Sequence, residues 1–295
     1  MNKQAAQVIG EKAYMALRIE AWTTPKPGLV DRENSGAHRD MDYPLFLASC
    51  GALRDYFSVC ARIGGESVQD EESGCFFRLR RAGLEGEKKM FTVTGGVNTH
   101  KGAVFSIGIL SFCMGQLSAE KGGIPATKDR HVFLAELRRR CAKTSAALLT
   151  TDTALHTHGK QVYEETGTGG IRAEALSGFA SAFLIGYPAL RAARREGYPL
   201  NESMVKALLS LMCSVQDSNI VYRGGAEGLR FVRREAGYIL KTADLRTEDG
   251  LTMVRNLDRE CIRQNLSPGG CADLLAFSSM LYLLFDEEEI KREGM

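Results

Sequence analysis

The sequence predicts an all-α protein built as a single compact multi-helix domain, and three observations carry that prediction. Nearly every segment places its apolar residues at the 3.6-residue period of a helix. No convincing run alternates apolar and polar residues as a half-buried strand would. No linker and no repeat of fixed length interrupts the 295 residues, so we predict one domain over residues 1–295 rather than a solenoid or two domains.

The first predicted helix leads directly into a loop that is rich in charged residues. Apolar residues at helical spacing over residues 2–21 indicate an amphipathic helix. Glu20 falls on its buried stripe, so it is either a surface acid at a frayed end or a carboxylate that points at the following loop. Residues 24–41 contain two prolines and cannot continue the helix, so we expect an ordered, extended loop.

Two more helices are expected after this loop. Asp42 can cap the first of them. The pair of glycines at positions 64 and 65 predicts its end near Ile63, and a second helix is expected over residues 67–82.

The later helices are expected to begin at glycine-rich or capping turns. The predicted segments are a helix after the turn at residues 95–102, a helix over 129–149, a helix from the turn at 167–172 past Leu190, helices over 203–213 and 248–265, and helices after the polar turns at 217–225 and 267–270.

Composition narrows the function classes. The formal net charge of +2 makes nucleic acid a poor candidate partner. The eight cysteines form no Cys-x-x-Cys pair and no leader-like segment is evident, which predicts a reduced, cytoplasmic protein with mostly buried thiols. No apolar run approaches the ~18 residues that a membrane span needs, so we expect a soluble protein without a membrane partner.

The glycine-rich turns predict anion sites, because a helix N-terminus presents free amide donors and the positive end of its dipole. The turn at residues 95–102 is not a P-loop, since the order Gly-x-x-x-x-Gly-Lys-Ser/Thr is absent. Lysine, arginine and carboxylate side chains in one pocket would suit a nucleoside triphosphate with Mg²⁺. Glu174 fits a bland helix cap as well as a metal ligand, and Asp152 with His156 fits a cap and a surface histidine better than a catalytic pair.

Six short motifs together carry a resemblance to a known family. They are TPKPGLVDR at 24–32, GVNTHKG at 96–102, THG at 157–159, RAEA at 172–175, DSN with RGG at 217–225, and SPGGCADLLA at 267–276. Over about residues 20–276 the chain closely resembles the triphosphoribosyl-dephospho-CoA synthase family. Ala173 stands where the family motif has a glycine.

The resemblance implies an activity. Enzymes of this family join the triphosphoribosyl group of ATP to the 2′-hydroxyl of 3′-dephospho-CoA and release adenine. The product is the precursor of the prosthetic group on the acyl carrier protein of citrate lyase or malonate decarboxylase. ATP and 3′-dephospho-CoA are therefore the expected substrates, and an acyl carrier protein transferase is an expected downstream partner.

The resemblance also implies site residues. The ligands of ATP are expected among Lys26, Arg32, His100, Lys101, Arg172 and Arg223. Asp31, Glu174 and Asp273 are expected to include the ligands of Mg²⁺ and the general base, although their individual roles do not follow from the sequence. His158 is the catalytic histidine that the motif marks, and His38 is expected to assist proton transfer.

Two other functions fit the same residues. A Mg²⁺-dependent all-α hydrolase of a nucleotide or an ADP-ribose-like glycoside would use the same carboxylates with water as the nucleophile. A helical module that only binds CoA or an acyl carrier protein would bind without turning over ATP, but it would need fewer carboxylates in its glycine loops.

Overall fold

The computed structural model describes residues 3–68, 72–123, 130–150 and 169–286, and every regular element in these ranges is helical. The helices are α1 (Lys3–Trp22), α2 (Tyr43–Glu66), α3 (Glu72–Val93), α4 (Lys101–Lys121), α5 (Arg130–Thr150), α6 (Gly170–Leu176), α7 (Tyr187–Arg195), α8 (Leu200–Ser214), α9 (Ser218–Thr242), α10 (Glu248–Arg263) and α11 (Gly269–Phe285). The all-α prediction and the single compact domain are confirmed for these residues. The domain bounds of 1–295 stay a prediction.

Helix α4 lies at the centre of the packing. It contacts α1, α2, α5 and α11, because almost all of its side chains are apolar or small. By length and composition α4 could cross a membrane, so the expectation that no apolar run is long enough is wrong for this helix. Yet 78% of its most apolar 18-residue stretch is buried inside the described structure, which is compatible with the core helix of a soluble protein.

The predicted end of the second helix is wrong, and the reason is close helix packing. α2 continues through both glycines to Glu66. A side chain at Gly64 would place its Cβ 1.9 Å from the backbone oxygen of Phe112 in α4. Gly64 therefore lets two helix backbones approach each other, and neither glycine breaks the helix.

Three further boundaries differ from the prediction. α9 begins at Ser218, inside the stretch 217–225 that was expected to be a turn. α3 runs from Glu72 to Val93, where a helix over residues 67–82 was expected. The predicted continuous helix from the turn at 167–172 is broken after α6, where Gly178 and Phe179 have φ angles of 73° and 58°. One turn of π-helix, Ala182–Gly186, then leads into α7.

The capping and thiol predictions are confirmed. The Asp42 side chain accepts a hydrogen bond from the backbone amide of Leu45 at the start of α2. All eight cysteines lie in the described residues and are not joined in disulfides, and seven of them are buried. His158, like Asp152 and His156, lies outside the described residues, so its catalytic role stays a prediction.

Candidate active site

Two buried carboxylates hold the loop between α1 and α2. Asp31 accepts hydrogen bonds from the amides of Lys26, Glu33 and Asn34 at 2.8, 2.7 and 3.1 Å. Asp258 of α10 accepts from the amide of Gly28 and from the side-chain amide of Asn34, both at 2.8 Å. Burial raises the pKa of both carboxyl groups, while these donors oppose the shift. The loop is thus ordered, as expected, but it is not extended, because backbone hydrogen bonds such as Leu29 N–H to Lys26 O and Ala37 N–H to Gly28 O fold it into turns.

Lys26 is enclosed by protein. Its ammonium lies 2.5 Å from Oε1 of Glu20 and 2.9 Å from the backbone oxygen of Glu20, and the Lys26 side chain is 1% exposed. Glu20 therefore points at the loop, which was one of the two predicted alternatives. A phosphate contact by Lys26 would leave the Glu20 carboxylate buried without its partner, so the burial argues against that role, which stays a prediction.

His100, also expected to bind ATP, is buried at the N-cap of α4. Its Nδ1 lies 2.7 Å from Oγ of Ser49, and its Nε2 lies 3.9 Å from Sγ of Cys50. Burial, aided by the charge of Lys26, lowers the pKa of His100 to about 3. The imidazole is consequently neutral at physiological pH, and its part in ATP binding stays a prediction.

Two aspartates join the starts of three helices. Asp217 caps α9 by accepting from the amides of Asn219 and Ile220, and its other oxygen accepts from the amide of Cys271 in α11 at 2.8 Å. Asp273 of α11 accepts from the amide of Ala103 in the first turn of α4. The N-termini of α4, α9 and α11 therefore meet, and protein carboxylates occupy several of their amide donors.

Asp273 combines a partly exposed position with a strongly shifted acidity. Burial raises its pKa well above the usual range, and the negative charges of Glu20 and Asp217 raise it further. Gly102 makes room for this carboxylate, because a Cβ at that position would lie 1.9 Å from Oδ2 of Asp273. Of the three predicted catalytic carboxylates, Asp273 alone lies where these helix starts meet.

Arg223 and His38 connect the loop to the start of α11. The Arg223 guanidinium donates to the backbone oxygen of Ala37 at 2.8 Å and lies 3.5 Å from Nδ1 of His38. Nε2 of His38 lies 2.8 Å from Oγ of Ser267, and its Nδ1 also lies 3.9 Å from the Asp40 carboxylate. Burial and the charge of Arg223 lower the pKa of His38.

The remaining predicted residues lie outside this cluster. Both carboxylate oxygens of Glu174 bond to Ser181, at 2.6 and 3.1 Å. The ammonium of Lys101 lies 3.3 Å from the Glu87 carboxylate of α3. Arg32 is exposed, and its guanidinium lies 4.4 Å from the ring centroid of Trp22. Arg172, in α6, is partly exposed.

The predicted metal ligands do not form one group. Asp31 is held by the loop amides and Glu174 by Ser181, each on a different element from Asp273. In the part of the chain that the structure describes, no three side chains of His, Cys, Asp or Glu are arranged to hold a metal ion.

Asp258 is the residue that the sequence analysis missed. It lies on the buried stripe of α10 with Val254 and Cys261, at helical spacing of four and three residues. The same pattern, a carboxylate on an apolar stripe, identified Glu20 in α1. The same pattern would have identified Asp258 as a buried carboxylate. It would not have shown that Asp258 binds amides of the loop.

Carboxylates with raised pKa values at the meeting point of helix N-termini are typical of an active site, and they characterise the protein as an all-α enzyme. A sequence model of the ATP:dephospho-CoA triphosphoribosyl transferase family matches residues 6–292. The chain belongs to this family. The transferase prediction is thereby confirmed, and the hydrolase alternative is not supported.

Named relatives agree with the family match. A protein of Albidiferax ferrireducens is 42% identical over 278 residues, which cover 93% of this chain and 90% of the relative. A protein of Vibrio cholerae is 37% identical over 280 residues, which cover 94% and 88%. Both are named as a probable 2-(5″-triphosphoribosyl)-3′-dephosphocoenzyme-A synthase. No solved structure matches the chain.

Proposed function

We propose that ATP and 3′-dephospho-CoA react where α4, α9 and α11 begin, with Asp273 as the general base. The observation that carries this proposal is the Asp273 carboxyl group, which is partly exposed, has a strongly raised pKa and is held by one amide of α4. A base whose pKa is raised toward the working pH accepts a proton more readily than an ordinary aspartate.

The proposed transfer needs one base, which takes the proton of the attacking hydroxyl group. The 2′-oxygen of dephospho-CoA forms a bond to C1 of the ATP ribose, and the bond from that carbon to N9 of adenine breaks. The proton of the 2′-hydroxyl passes to Asp273, and the electron pair leaves with adenine, which takes up a proton as it is released. The ribose carbon gains positive charge in the transition state, so the nearby charge of Asp217 would stabilise it.

The triphosphate would be bound by cations at the edge of this region. Arg32 and Arg172 offer guanidinium groups that reach solvent, and Arg223 and Lys101 lie beside the loop and at the start of α4. Lys26 and His100 would support the site without contacting the triphosphate. Lys26 neutralises Glu20, and the neutral His100 supports the start of α4. In this proposal Asp31 orders the loop and Glu174 orders the turn before α7.

Magnesium fits this site best as part of the Mg–ATP substrate. Mg²⁺ keeps several waters and is commonly bound through phosphate oxygens and one or two carboxylates, so it needs no preformed group of three ligands. Among the predicted ligands Asp31 and Glu174 have both oxygens in hydrogen bonds, which leaves Asp273 as the carboxylate with spare capacity.

The product would serve as the prosthetic-group precursor of citrate lyase or malonate decarboxylase, and an acyl carrier protein transferase would consume it. The free, mostly buried thiols suit a cytoplasmic location.

One assay tests the proposed reaction. The purified chain is incubated with ATP and Mg²⁺, with or without 3′-dephospho-CoA, and adenine and the coupled product are measured by mass analysis. We expect adenine only in the presence of dephospho-CoA, together with a product that carries both moieties. Release of adenine at the same rate without dephospho-CoA would mean hydrolysis, and no release at all would contradict catalysis by this chain.

A further inference from the structure

A narrow apolar cleft runs between α3 and α4, away from the aspartate cluster. Its volume is about 120 Å³, and Leu79, Leu84, Val104, Phe105 and Ile109 form most of its walls. Tyr56 of α2 forms its floor, and the Tyr56 hydroxyl donates to the backbone oxygen of Val104 at 3.0 Å. None of the predicted site residues lines it.

Two glycines, one on α3 and one on α4, lie near the Tyr56 hydroxyl. Gly108 of α4 has no room for a side chain, since its Cβ would lie 2.2 Å from the tyrosine oxygen. Gly83 of α3 does have room, because its Cβ would lie 3.7 Å from the same atom. Leu84, next to Gly83, is 53% exposed, so the cleft is open to solvent along this side.

Polar groups lie at the two ends of the cleft. The α3 residues that line it follow one face of the helix at positions 80, 83, 84 and 87, a length of roughly 10 Å. Glu87 stands at the end beside α4, where its carboxylate meets the ammonium of Lys101. Arg80 lines the other end. Lys101 is the first residue of α4, so this end of the cleft adjoins the start of α4, where the amide of Ala103 donates to Asp273 of α11.

We infer that the cleft binds the pantetheine arm of 3′-dephospho-CoA. This inference rests on the proposed function, because it assigns the acceptor substrate of that reaction. The arm is uncharged and carries a branched dimethyl group followed by two amides, which matches apolar walls with polar ends. Its diphosphate would lie at the end of the cleft beside the start of α4, and the adenosine with the reactive 2′-hydroxyl would continue toward Asp273.

Filling the cleft tests this inference. Gly83→Leu places a side chain in the cleft and replaces a helical glycine by a better helix former, so the fold should be retained. The matched control is Gly74→Leu in the same helix, where no atom lies within 4 Å of the added Cβ. A second variant, Leu84→Asp, puts a charge on the exposed wall, and Leu184→Asp is its control because Leu184 is also exposed, at 62%.

Calorimetric titration would measure the Kd of each variant for dephospho-CoA and for ADP, which is dephospho-CoA without its pantetheine. We expect Gly83→Leu and Leu84→Asp to raise the Kd for dephospho-CoA at least about tenfold, with ADP within about twofold and both controls like the wild type. Equal binding of dephospho-CoA by all variants would overturn the inference. An equal loss of ADP and dephospho-CoA would also overturn it, because the lesion would then not concern pantetheine.

The wild-type assay separates this inference from the proposed function. If the wild type releases adenine with dephospho-CoA while the cleft variants match it in binding, the reaction stands and the cleft assignment fails. If the wild type binds dephospho-CoA through the cleft but releases no adenine, the cleft stands and the proposed reaction fails.

Discussion

The loop between α1 and α2 and the meeting point of α4, α9 and α11 both contain family motifs, yet they use their charges differently. In the loop, the hydrogen-bonding capacity of Asp31 and the ammonium of Lys26 are taken up by neighbouring protein groups. At the helix starts, Asp273 retains a partly exposed carboxyl group whose pKa is far from its usual range. A charged residue of a family motif can therefore stabilise the fold or be available for catalysis. The two roles differ in whether neighbouring protein groups already use all of its hydrogen-bonding capacity.

The largest expected effect is on turnover at the helix starts. Asp273→Asn keeps the shape of the side chain and removes the proposed base, so kcat should fall at least about 100-fold. Stability should stay equal or rise, because the raised pKa means that the buried charge is unfavourable. Adenine release and urea unfolding would measure the two effects. Asp42→Asn, at the exposed cap of α2, is the matched control and should change neither. Near wild-type turnover in Asp273→Asn would contradict the assignment of Asp273 as the general base.

The second expected effect belongs to the scaffold of the loop. Lys26→Met leaves the Glu20 carboxylate buried without its partner and should lower the free energy of unfolding by about 3–5 kcal/mol. The double variant Lys26→Met with Glu20→Gln should recover most of that loss, since no charge remains buried. Urea unfolding of the two single variants and the double variant gives the coupling energy. A double variant as unstable as Lys26→Met would show that the pair itself is not the cause.

A pH effect should follow from His100. Its pKa is lowered from 6.5 to about 3, so between these values the unfolded state binds a proton that the native state does not. Stability should therefore be complete above pH 6.5 and fall as the pH falls, by about 2 kcal/mol at pH 5. Unfolding of the wild type and of His100→Gln at pH 7 and pH 5 tests this, because the variant lacks the titrating group. Equal losses in both proteins would exclude His100 as the source.

Asp31→Asn would distinguish the two regions further. The amide can accept at one atom only, so its NH₂ group would face a backbone donor of Lys26 or of Glu33 and Asn34. We expect a loss of about 1–3 kcal/mol in stability, with the remaining folded protein active. Asp273→Asn is the same chemical change at the other region. Lost stability in Asp31→Asn together with lost turnover in Asp273→Asn would support a structural role for Asp31 and a catalytic role for Asp273. If Asp31→Asn kept full stability and lost turnover, Asp31 would have a catalytic role instead.

The smallest effect on the stability of the fold is expected at the exposed residue Arg32. Arg32→Ala removes an exposed guanidinium above Trp22, which should cost about 0.5–1 kcal/mol of stability. If Arg32 binds phosphate, its loss should raise the Kd for ATP about tenfold or more. Arg259→Ala removes the same charge from an exposed site that bonds only within α10, and it should leave ATP binding unchanged. Equal ATP affinity in both variants would rule out Arg32 as a ligand.

The helices could be predicted from the sequence because periodicity is a local property, and so could the cap at Asp42. The errors came from glycines. Gly64 looks like a helix breaker in isolation, and only the position of Phe112 in another helix explains why it continues α2. Local patterns report the conformation that a residue permits, whereas packing decides which of its properties is used.

The motifs named candidate site residues, but they did not predict how these residues are arranged. Glu20 was detectable as a carboxylate on an apolar stripe, and Asp258 carries the same signal. Which donors each carboxylate binds depends on residues far away in the chain, as with Gly28 and Asp258, or Asp217 and Cys271. Spacing within a motif contains no information on these partners.

The bond between Gly28 and Asp258 has a consequence for biosynthesis. It joins residues that are 230 positions apart, and Thr24 is bonded to Asn201 across 177 positions. The loop leaves the ribosome 230 residues before the carboxylate of Asp258 that binds it. Helices α1 to α4 can pack with one another as soon as they emerge, but the bond that joins the loop to α10 forms only after α10 has been made.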